Sequence, residues 1–161
     1  MQNSSIHFIV LIVVLLSLGS CDKGRTYEKN VDIAGSEWMY EDTVTFEVAI
    51  ADTLPKNVFV NFRHGFYYGW RNAWLKLKTI QPTGEFGEQS LNVQLSQPDG
   101  QWYGDCSGDI CMMRYPVVIG YAFPDTGTYT FQFVQDMRQN PLPEVMSIGL
   151  RVEEFVAIEQ E

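Results

Sequence analysis

The stretch Val44-Thr45-Phe46-Glu47-Val48-Ala49-Ile50 places an apolar side chain at every second position. Successive side chains of a β-strand point to opposite sides, so this period is typical of a strand with one buried face. The same alternation returns at Val58, Val60 and Phe62. The two runs therefore predict two strands that each contribute one face to a hydrophobic core.

Further short runs rich in apolar side chains follow at residues 73–78, 91–95, 116–123, 129–133 and 146–152. Turn signals separate several of them, among them Pro82-Thr83-Gly84 and Pro98-Asp99-Gly100. About seven or eight short strands with regular turns and no amphipathic helix predict an all-β fold. We expect a single antiparallel β-sandwich, immunoglobulin-like or jelly-roll-like. One helical turn is expected at residues 136–140.

The segment from Asp125 to Phe131 has the Asp, Gly, Tyr spacing of the tyrosine corner in immunoglobulin-like sandwiches, with Phe131 where a cysteine would stand. In that motif the hydroxyl of the tyrosine, here Tyr129, ties a loop to the strand through a hydrogen bond. A buried tyrosine without such a bond is the alternative. The residues favour neither reading over the other.

The amino-terminal residues have the pattern of a bacterial lipoprotein signal. Apolar residues 8–16 are followed by Leu18-Gly19-Ser20-Cys21, and a short apolar segment ending in small residues before a cysteine is typical of such signals. Cleavage before Cys21 would leave its thiol carrying a diacylglycerol at the mature amino terminus. A transmembrane helix is the alternative, but residues 6–18 fall short of the roughly 20 that a bilayer core requires. No Lys or Arg precedes Phe8, which departs from the usual signal pattern.

The expected organisation is a signal peptide over residues 1–20, a lipidated amino terminus and tether over 21–35, a β-sandwich over 36–154 and a carboxyl-terminal tail over 155–161. The tether is predicted because residues 22–30 are polar and show no periodicity. Membrane attachment is expected through the lipid alone, since each buried methylene contributes about 0.8 kcal/mol.

Charge excludes some classes of partner. The chain of 161 residues has 11 basic and 20 acidic side chains and a formal net charge of -9. A nucleic-acid partner would need a basic surface to meet its phosphates, and an anionic lipid layer would repel a protein of this charge. The length suits one domain. We expect no nucleic-acid binding.

Two cysteines remain once Cys21 is assigned to lipid. Cys106 and Cys111 are a possible disulfide pair in an oxidising envelope compartment. Free thiols are the alternative, and a metal site is the least favoured because two thiolates without nearby Cys or His supply too few ligands.

Few residues suggest catalysis or metal binding. His64 is the single histidine after Cys21, which excludes most hydrolytic arrangements that combine a histidine base with further histidines. We expect a structural role for it and no enzymatic activity. Asp99, Asp105 and Asp109 lie among glycines and could form a calcium loop, but turn anchors are favoured. No cofactor or metal is expected.

A loop rich in aromatic and arginine side chains is the candidate binding surface. Such side chains provide a large contact area at low entropic cost. The candidate contact residues are Arg63, His64, Tyr67, Tyr68, Trp70, Arg71, Asn72, Trp74 and Trp102. The same aromatic residues could instead fold back as a lid over the end of the sandwich. Exposed aromatic side chains also hold sugar rings, so a carbohydrate- or peptidoglycan-binding module is the second hypothesis.

Several segments of the chain, in their order, carry a family resemblance. They are Arg63-His64, Asn72-Ala73-Trp74-Leu75, Asp99-Gly100-Gln101-Trp102-Tyr103-Gly104, Gly108-Asp109-Ile110, Gly127-Thr128-Tyr129-Thr130-Phe131, Gln135-Asp136-Met137-Arg138, Pro141-Leu142 and Ile148-Gly149-Leu150-Arg151-Val152-Glu153. Together with the lipid cysteine, they resemble the gliding motility lipoprotein GldH family of the Bacteroidetes. Cys106, Cys111, Asp136 and Glu144 depart from the family pattern, and residues 155–161 look like an added tail.

The resemblance implies a non-enzymatic envelope lipoprotein that is required for gliding and for the associated type IX secretion machinery. Relatives in bacteria that do not glide make an assembly or envelope-maintenance role the broader expectation. Other gliding and type IX secretion envelope proteins are the implied partners, and no catalytic residue is carried over. Residues 22–26 lack the acidic run that directs some lipoproteins to the cell exterior. We therefore expect an outer-membrane location with the domain facing the periplasm.

Overall fold

The computed structural model describes residues 24–156, and nearly all regular structure in this part is β-strand. The strands are β1 (Arg25–Asp32), β2 (Glu37–Trp38), β3 (Val44–Ile50), β4 (Lys56–Gly65), β5 (Asn72–Ile80), β6 (Phe86–Gln94), β7 (Asp105–Ser107), β8 (Ile110–Tyr121), β9 (Gly127–Gln135), β10 (Leu142–Pro143) and β11 (Val145–Glu154). A single 3-10 turn covers Ala34–Ser36. The predicted signal peptide, Cys21 and residues 157–161 lie outside the described residues.

Two antiparallel sheets form the body of the domain. The first has the strand order β1-β11-β4-β8-β7 and the second the order β3-β9-β5-β6, while β2 and β10 form a small separate pair. Consecutive long strands cross from one sheet to the other between β1 and β3, β3 and β4, and β4 and β5. This is the arrangement of a double-sheet jelly roll. The predicted all-β sandwich is confirmed, and the jelly roll is the topology adopted.

The core lies between the two sheets and follows the alternation seen in the sequence. Val44, Phe46, Val48 and Ile50 of β3 are all buried, as the opening pattern predicts. They pack beside β9, where the ring of Phe133 meets that of Phe46 edge-on with centroids 6.0 Å apart. The inward face of the opposite sheet comes from alternate residues of β4 and β11, so each sheet contributes one apolar face.

The structure decides between the two readings of Tyr129 in favour of the tyrosine corner. Its hydroxyl donates to the carbonyl oxygen of Asp125 at 3.0 Å. The ring is buried and packs edge-on against Phe123, with ring centroids 4.8 Å apart. The loop that enters β9 is therefore tied to the strand it precedes.

The predicted tether is wrong over most of its length, because Arg25–Asp32 forms β1 and pairs antiparallel with β11. This strand lacks periodicity because its outward face is polar and joins a network on the sheet surface. Glu28 accepts hydrogen bonds from Arg151 at 2.8 Å and from Asn61 at 3.1 Å. Gly149 leaves room for this network, since a Cβ there would collide with the Asn30 amide oxygen and displace that side chain. The sandwich therefore begins eleven residues earlier than the predicted Ser36.

Two further expectations fail locally. Residues 136–140 form a bend without helical structure, whereas the sequence predicts a helical turn there. Strands β6 and β8 begin at Phe86 and Ile110, earlier than residues 91 and 116. The first five residues of β6 are exposed on both faces, so no alternation marks them in the sequence.

The long strands run between two ends of the sandwich. The proximal end is defined by the start of β1, the loop over residues 51–55, the loop over 122–126 and residues 155–156. The distal end is defined by the loops over residues 39–43, 66–71, 95–104 and 136–141. This polarity decides which side chains meet in a common site.

Candidate binding groove

An open groove lies at the distal end, where the segment after β9 passes beside the start of β5. The groove has a volume of about 680 Å³ and is lined by Trp70, Trp74, Asp136, Met137, Arg138 and Gln139. Its walls come from segments about 60 residues apart in the sequence, and the pairing of β5 with β9 brings them together. Two indoles and a thioether provide apolar surface, while a carboxylate, a guanidinium and an amide provide polar groups.

Gln135 holds the groove loop in place. This residue ends the inward face of β9 and is buried. Its amide nitrogen donates to the carbonyl oxygens of Gln139 at 3.1 Å and Trp38 at 3.4 Å. Its amide oxygen accepts from the backbone N–H of Met137 at 2.9 Å. One buried amide therefore satisfies backbone groups on both sides of the loop, which an apolar side chain could not do.

Tyr40 braces the same loop from outside. Its hydroxyl donates to the carbonyl oxygen of Met137 at 2.6 Å, and its backbone N–H donates to the Asn140 side-chain oxygen at 2.9 Å. The loop is joined to β5 as well, because the N–H of Asp136 donates to the Trp74 carbonyl oxygen at 2.7 Å. These bonds hold the groove floor and its β5 wall together in the absence of regular secondary structure.

The charged groups in the groove differ in their partners. The Asp136 carboxylate lies 3.0 Å from the ammonium nitrogen of Lys76, and both side chains are partly exposed. Arg138 is exposed beside them. Since Lys76 already meets Asp136, the Arg138 guanidinium is the group that an acidic or carbonyl-bearing ligand would meet.

The structure brings only part of the predicted contact set to this groove. Trp70 and Trp74 line it, and Tyr67 is exposed in the adjoining loop. Arg71 is exposed and its guanidinium lies 3.5 Å from the Pro98 carbonyl oxygen, on the other side of the loop. The side chain of Asn72 donates to that of Asn92 at 2.6 Å.

Three predicted contact residues have other roles. His64 and Tyr68 are buried, so their assignment to an exposed contact surface is wrong. Arg63 lies on the outward face of β4, between Ser147 and Met112 in register, and does not line the groove. The sequence does not separate these cases, because an aromatic or charged side chain in a strand can face either way.

The buried aromatic residues support the groove from beneath. Tyr68 packs edge-on against Trp70 with ring centroids 5.4 Å apart, and its hydroxyl donates to the Asn72 carbonyl oxygen. His64 lies between Tyr68 and Trp102, with its ring centroid 4.5 Å from that of Trp102. The aromatic segment therefore combines the two alternatives predicted from the sequence. Tyr68 covers the end of the sandwich from inside, and Trp70 packs on it from outside.

His64 is a neutral core residue. Its Nδ1 lies 2.8 Å from the Gly65 carbonyl oxygen, which can only accept, so Nδ1 carries the proton. Burial lowers the pKa of His64 below its ordinary value of 6.5, against smaller opposing effects of the Gly65 hydrogen bond and the Glu144 charge. The unfolded chain therefore binds a proton at a higher pH than the folded one.

We expect stability to fall as the pH drops below about 6.5, because protonation of His64 then favours the unfolded chain. Its contribution is fully present above pH 6.5 and is lost between that value and the lower folded pKa, with a slope of at most about 1.4 kcal/mol per pH unit. Urea unfolding of the wild type and of a His64→Gln variant from pH 7.5 to 5 measures this. A loss of stability equal in both proteins would contradict it. Burial raises the pKa of Glu28, but hydrogen bonds from Arg25, Arg151 and Asn61 outweigh it and lower the pKa overall. Protonation of Glu28 therefore reduces stability only at a lower pH than protonation of His64 does.

The β7–β8 hairpin is closed by a disulfide between Cys106 and Cys111, which are direct partners across the two strands. Cys111 is buried beside His64 in register, whereas Cys106 is exposed. The turn of this hairpin holds the aromatic loop, because the Asp109 carbonyl oxygen accepts the Phe66 N–H at 2.8 Å. The disulfide hairpin therefore positions one end of the loop that carries Trp70.

A second cavity, of about 390 Å³, lies between the sheets on the side of β6 and β8. Its lining is mostly aliphatic and aromatic. Within residues 24–156, no three His, Cys, Asp or Glu side chains lie close enough to hold a metal ion. The same part of the chain contains no helix of the length and hydropathy needed to cross a bilayer.

The fold and groove define the class: a β-sandwich with an open, mixed aromatic and charged surface on the loops of one end, where such domains place binding residues. Comparison with known families identifies which one. The family described as GldH lipoprotein matches residues 25–152. This chain belongs to that family.

Two similar curated proteins cover nearly the whole chain. The gliding motility lipoprotein GldH homolog of Christiangramia forsetii is 26% identical over 160 residues, covering 94% of this chain and 98% of the relative. The gliding motility lipoprotein GldH of Flavobacterium johnsoniae is 28% identical over 153 residues, covering 90% of this chain and 94% of the relative.

Among solved structures, TmCBM61 in complex with β-1,4-galactotriose matches 83% of this chain and 89% of its own, with 11% identity and a TM-score of 0.33. A similarity of this size supports no inference about the ligand of the present protein.

Proposed function

We propose that this protein is a lipid-anchored component of the gliding machinery, held in the envelope by acylated Cys21, that binds other envelope proteins through the distal groove without catalysing a reaction. The observation that carries the proposal is the position of the groove. It lies at the end of the sandwich opposite the start of β1, and β1 begins four residues after Cys21. An acyl anchor at that cysteine leaves the groove on the membrane-remote end.

The chemistry of the groove favours a protein partner. Tryptophan and arginine are the side chains most enriched at the energetic centres of protein interfaces, and methionine adapts to irregular surfaces. Trp74 of β5 and Arg138 of the loop after β9 are both exposed and line the same groove. Trp70 is half-buried and packs on Tyr68. A partner segment that buries Trp74 while pairing with Arg138 fits this arrangement.

The family name and the names of both relatives support a role in gliding. Association with type IX secretion follows from the family resemblance and is part of the proposal. We place the domain on the periplasmic side of the outer membrane, because residues 22–26 lack an acidic export run. Assembly of a larger envelope complex, rather than turnover of a substrate, is the proposed task.

A glycan strand of peptidoglycan is the second candidate ligand, since indoles also stack on sugar rings. The exposed rings of Phe66 and Tyr67 at the distal end meet edge-on and are inclined by 88°. The Trp70 ring is inclined by 63° to the buried Tyr68 ring on which it packs. Coplanar rings along a line would suit an extended glycan better. The observed geometry therefore supports protein binding over glycan binding.

A photo-crosslinking amino acid at Gln139 in intact cells tests the proposal. We expect it to capture one or more envelope proteins, and the double variant Trp74→Ala with Arg138→Ala to lose both the capture and gliding. Both side chains are exposed, so unfolding free energy should change by less than about 1 kcal/mol.

The matched control is Phe86, an exposed aromatic residue on the far edge of the second sheet. A crosslinker at this position should not capture the same proteins, and Phe86→Ala should glide normally. Equal capture from Gln139 and Phe86, or normal gliding of the double variant, would contradict the proposal. Capture of glycan strands alone would establish the second candidate.

A further inference from the structure

A group of exposed apolar side chains lies at the proximal end of the sandwich, in addition to those on the distal loops. Val156 is 75% exposed, Leu54 64% and Ile119 52%. Tyr121 and Phe155 are also more than one-third exposed. We call these five residues the proximal patch. Exposed apolar patches on folded domains mark contact sites for a protein, a ligand or a membrane.

Strand register brings the patch together. Tyr121 of β8 pairs with Lys56 at the start of β4, directly after the loop that carries Leu54. The Phe155 N–H donates to the Pro55 carbonyl oxygen at 3.0 Å, so the segment after β11 lies along the same loop. The Phe155 ring packs over Gly120, beside Ile119. The patch therefore spans the ends of β4, β8 and β11.

The start of the described chain lies at the same place. The Gly24 carbonyl oxygen accepts the Glu154 N–H at 2.8 Å, one residue before Phe155. Cys21 precedes Gly24 by three residues. A fully extended chain of this length spans at most about 11 Å. An acyl group on Cys21 cannot enter a lipid layer without bringing the proximal patch close to its surface.

We propose that the proximal patch rests in the interface of the phospholipid layer that holds the Cys21 acyl chains. This inference rests on the proposed lipid anchor and adds a second, direct contact by the folded domain. Tyr121 and Phe155 suit the interface, where aromatic side chains keep apolar surface in the lipid and polar groups near water. Leu54, Ile119 and Val156 supply aliphatic surface.

Charges at this end indicate an electrically neutral lipid surface. The Asp52 carboxylate lies 2.8 Å from the buried Lys56 ammonium, and that of Glu153 lies 2.7 Å from Arg151. Glu154 is exposed at the rim. Within residues 24–156 the cations at this end, Arg25, Lys56 and Arg151, are each ion-paired with a carboxylate, so contact with zwitterionic phospholipid should be apolar and insensitive to salt.

The contact would fix the orientation of the domain relative to the membrane. Strand β4 has ten residues, and at about 3.3 Å per residue it spans on the order of 30 Å from the proximal to the distal end. When the proximal patch contacts the lipid, Trp74 and Arg138 lie at about this distance from the lipid surface. A domain held by a flexible tether alone would sample all orientations.

Quenching of tryptophan fluorescence in vesicles tests the contact between the proximal patch and lipid. The full acylated protein is reconstituted into phosphatidylcholine–phosphatidylethanolamine vesicles that carry bromine on their acyl chains. The native tryptophans Trp38, Trp70, Trp74 and Trp102 all lie toward the distal end and report an unquenched background. We expect the emission added by Phe155→Trp to be largely lost in brominated vesicles. The matched control Tyr67→Trp, exposed at the distal end, should keep its added emission.

Each outcome decides one proposal. Attached protein with an unquenched tryptophan at position 155 would contradict the contact between patch and lipid but would remain consistent with the lipid anchor. Equal quenching at positions 155 and 67 would also contradict this contact, because the domain would then lack a fixed orientation. Protein that does not attach to vesicles at all would contradict both the lipid anchor and the contact between patch and lipid. If Phe155→Trp failed to fold, Leu54→Trp in the neighbouring loop gives the same readout, with quenching expected.

Discussion

Replacing Cys21 by serine is expected to release the protein completely from the membrane fraction and to abolish its labelling with radioactive palmitate. A serine hydroxyl cannot receive the thioether-linked diacylglycerol, so the chain loses every acyl methylene. At about 0.8 kcal/mol per buried methylene, several acyl chains outweigh any contact that the proximal patch can make. Fractionation of cells and autoradiography of the precipitated protein measure both effects.

Cys106→Ser is the matched control, because it removes a cysteine that lies in the folded domain. We expect this variant to stay in the membrane fraction and to incorporate palmitate at the wild-type level. Unchanged fractionation and labelling of Cys21→Ser would contradict the lipid anchor, and with it the orientation proposed for the groove.

Replacing Gln135 by alanine is expected to destabilise the domain by about 3 kcal/mol and to disable the groove. The variant leaves the Met137 N–H and the Gln139 and Trp38 carbonyl oxygens without their partner, and buried polar groups left unsatisfied cost about 1–3 kcal/mol each. Partial access of water to the loop keeps the total below the sum. Urea unfolding gives the free energy, and hydrogen exchange at Met137 reports the opening of the loop.

Gln132→Ala is the control on the same strand. Gln132 points away from the core, between the inward-facing Phe131 and Phe133, so its truncation should change stability by less than about 0.5 kcal/mol. Similar losses in the two variants would show that the amide of Gln135 is not what holds the groove loop. Retained crosslinking through Gln139 in Gln135→Ala would lead to the same conclusion.

The parts of the fold that alternate in sequence are the parts that can be predicted from it. Strand β3 buries every second residue against the other sheet, so its period identifies both the strand and its inward face. Strand β1 is the opposite case. Its outward Glu28 and Asn30 are fixed by partners from β11 and β4, more than 30 residues away, and no local pattern reveals such partners.

The groove shows the same limit. Trp70 and Trp74 are predictable because aromatic residues cluster in one short segment. Met137 and Arg138 are not, because they join the site only through the pairing of β5 with β9. The family resemblance includes the segment from Gln135 to Arg138, and this is the only sequence signal that could have drawn attention to it. The sequence predicts a surface position for His64 because local sequence does not reveal that β4 continues inward to Gly65. Tyr68 follows this strand in the loop, and its burial depends on packing against Phe62 and His64.

The pairing of β1 with β11 has a mechanical consequence. Seven residues of β1 have partners along β11, from Arg25 opposite Glu153 to Asp32 opposite Ser147. Tension between an anchor before Arg25 and a load at the far end of the sandwich runs parallel to these strands. The interstrand bonds then resist in shear and bear the force together, instead of peeling apart in succession. A domain connected in this way can transmit pulling force as a rigid link while its first strand stays attached.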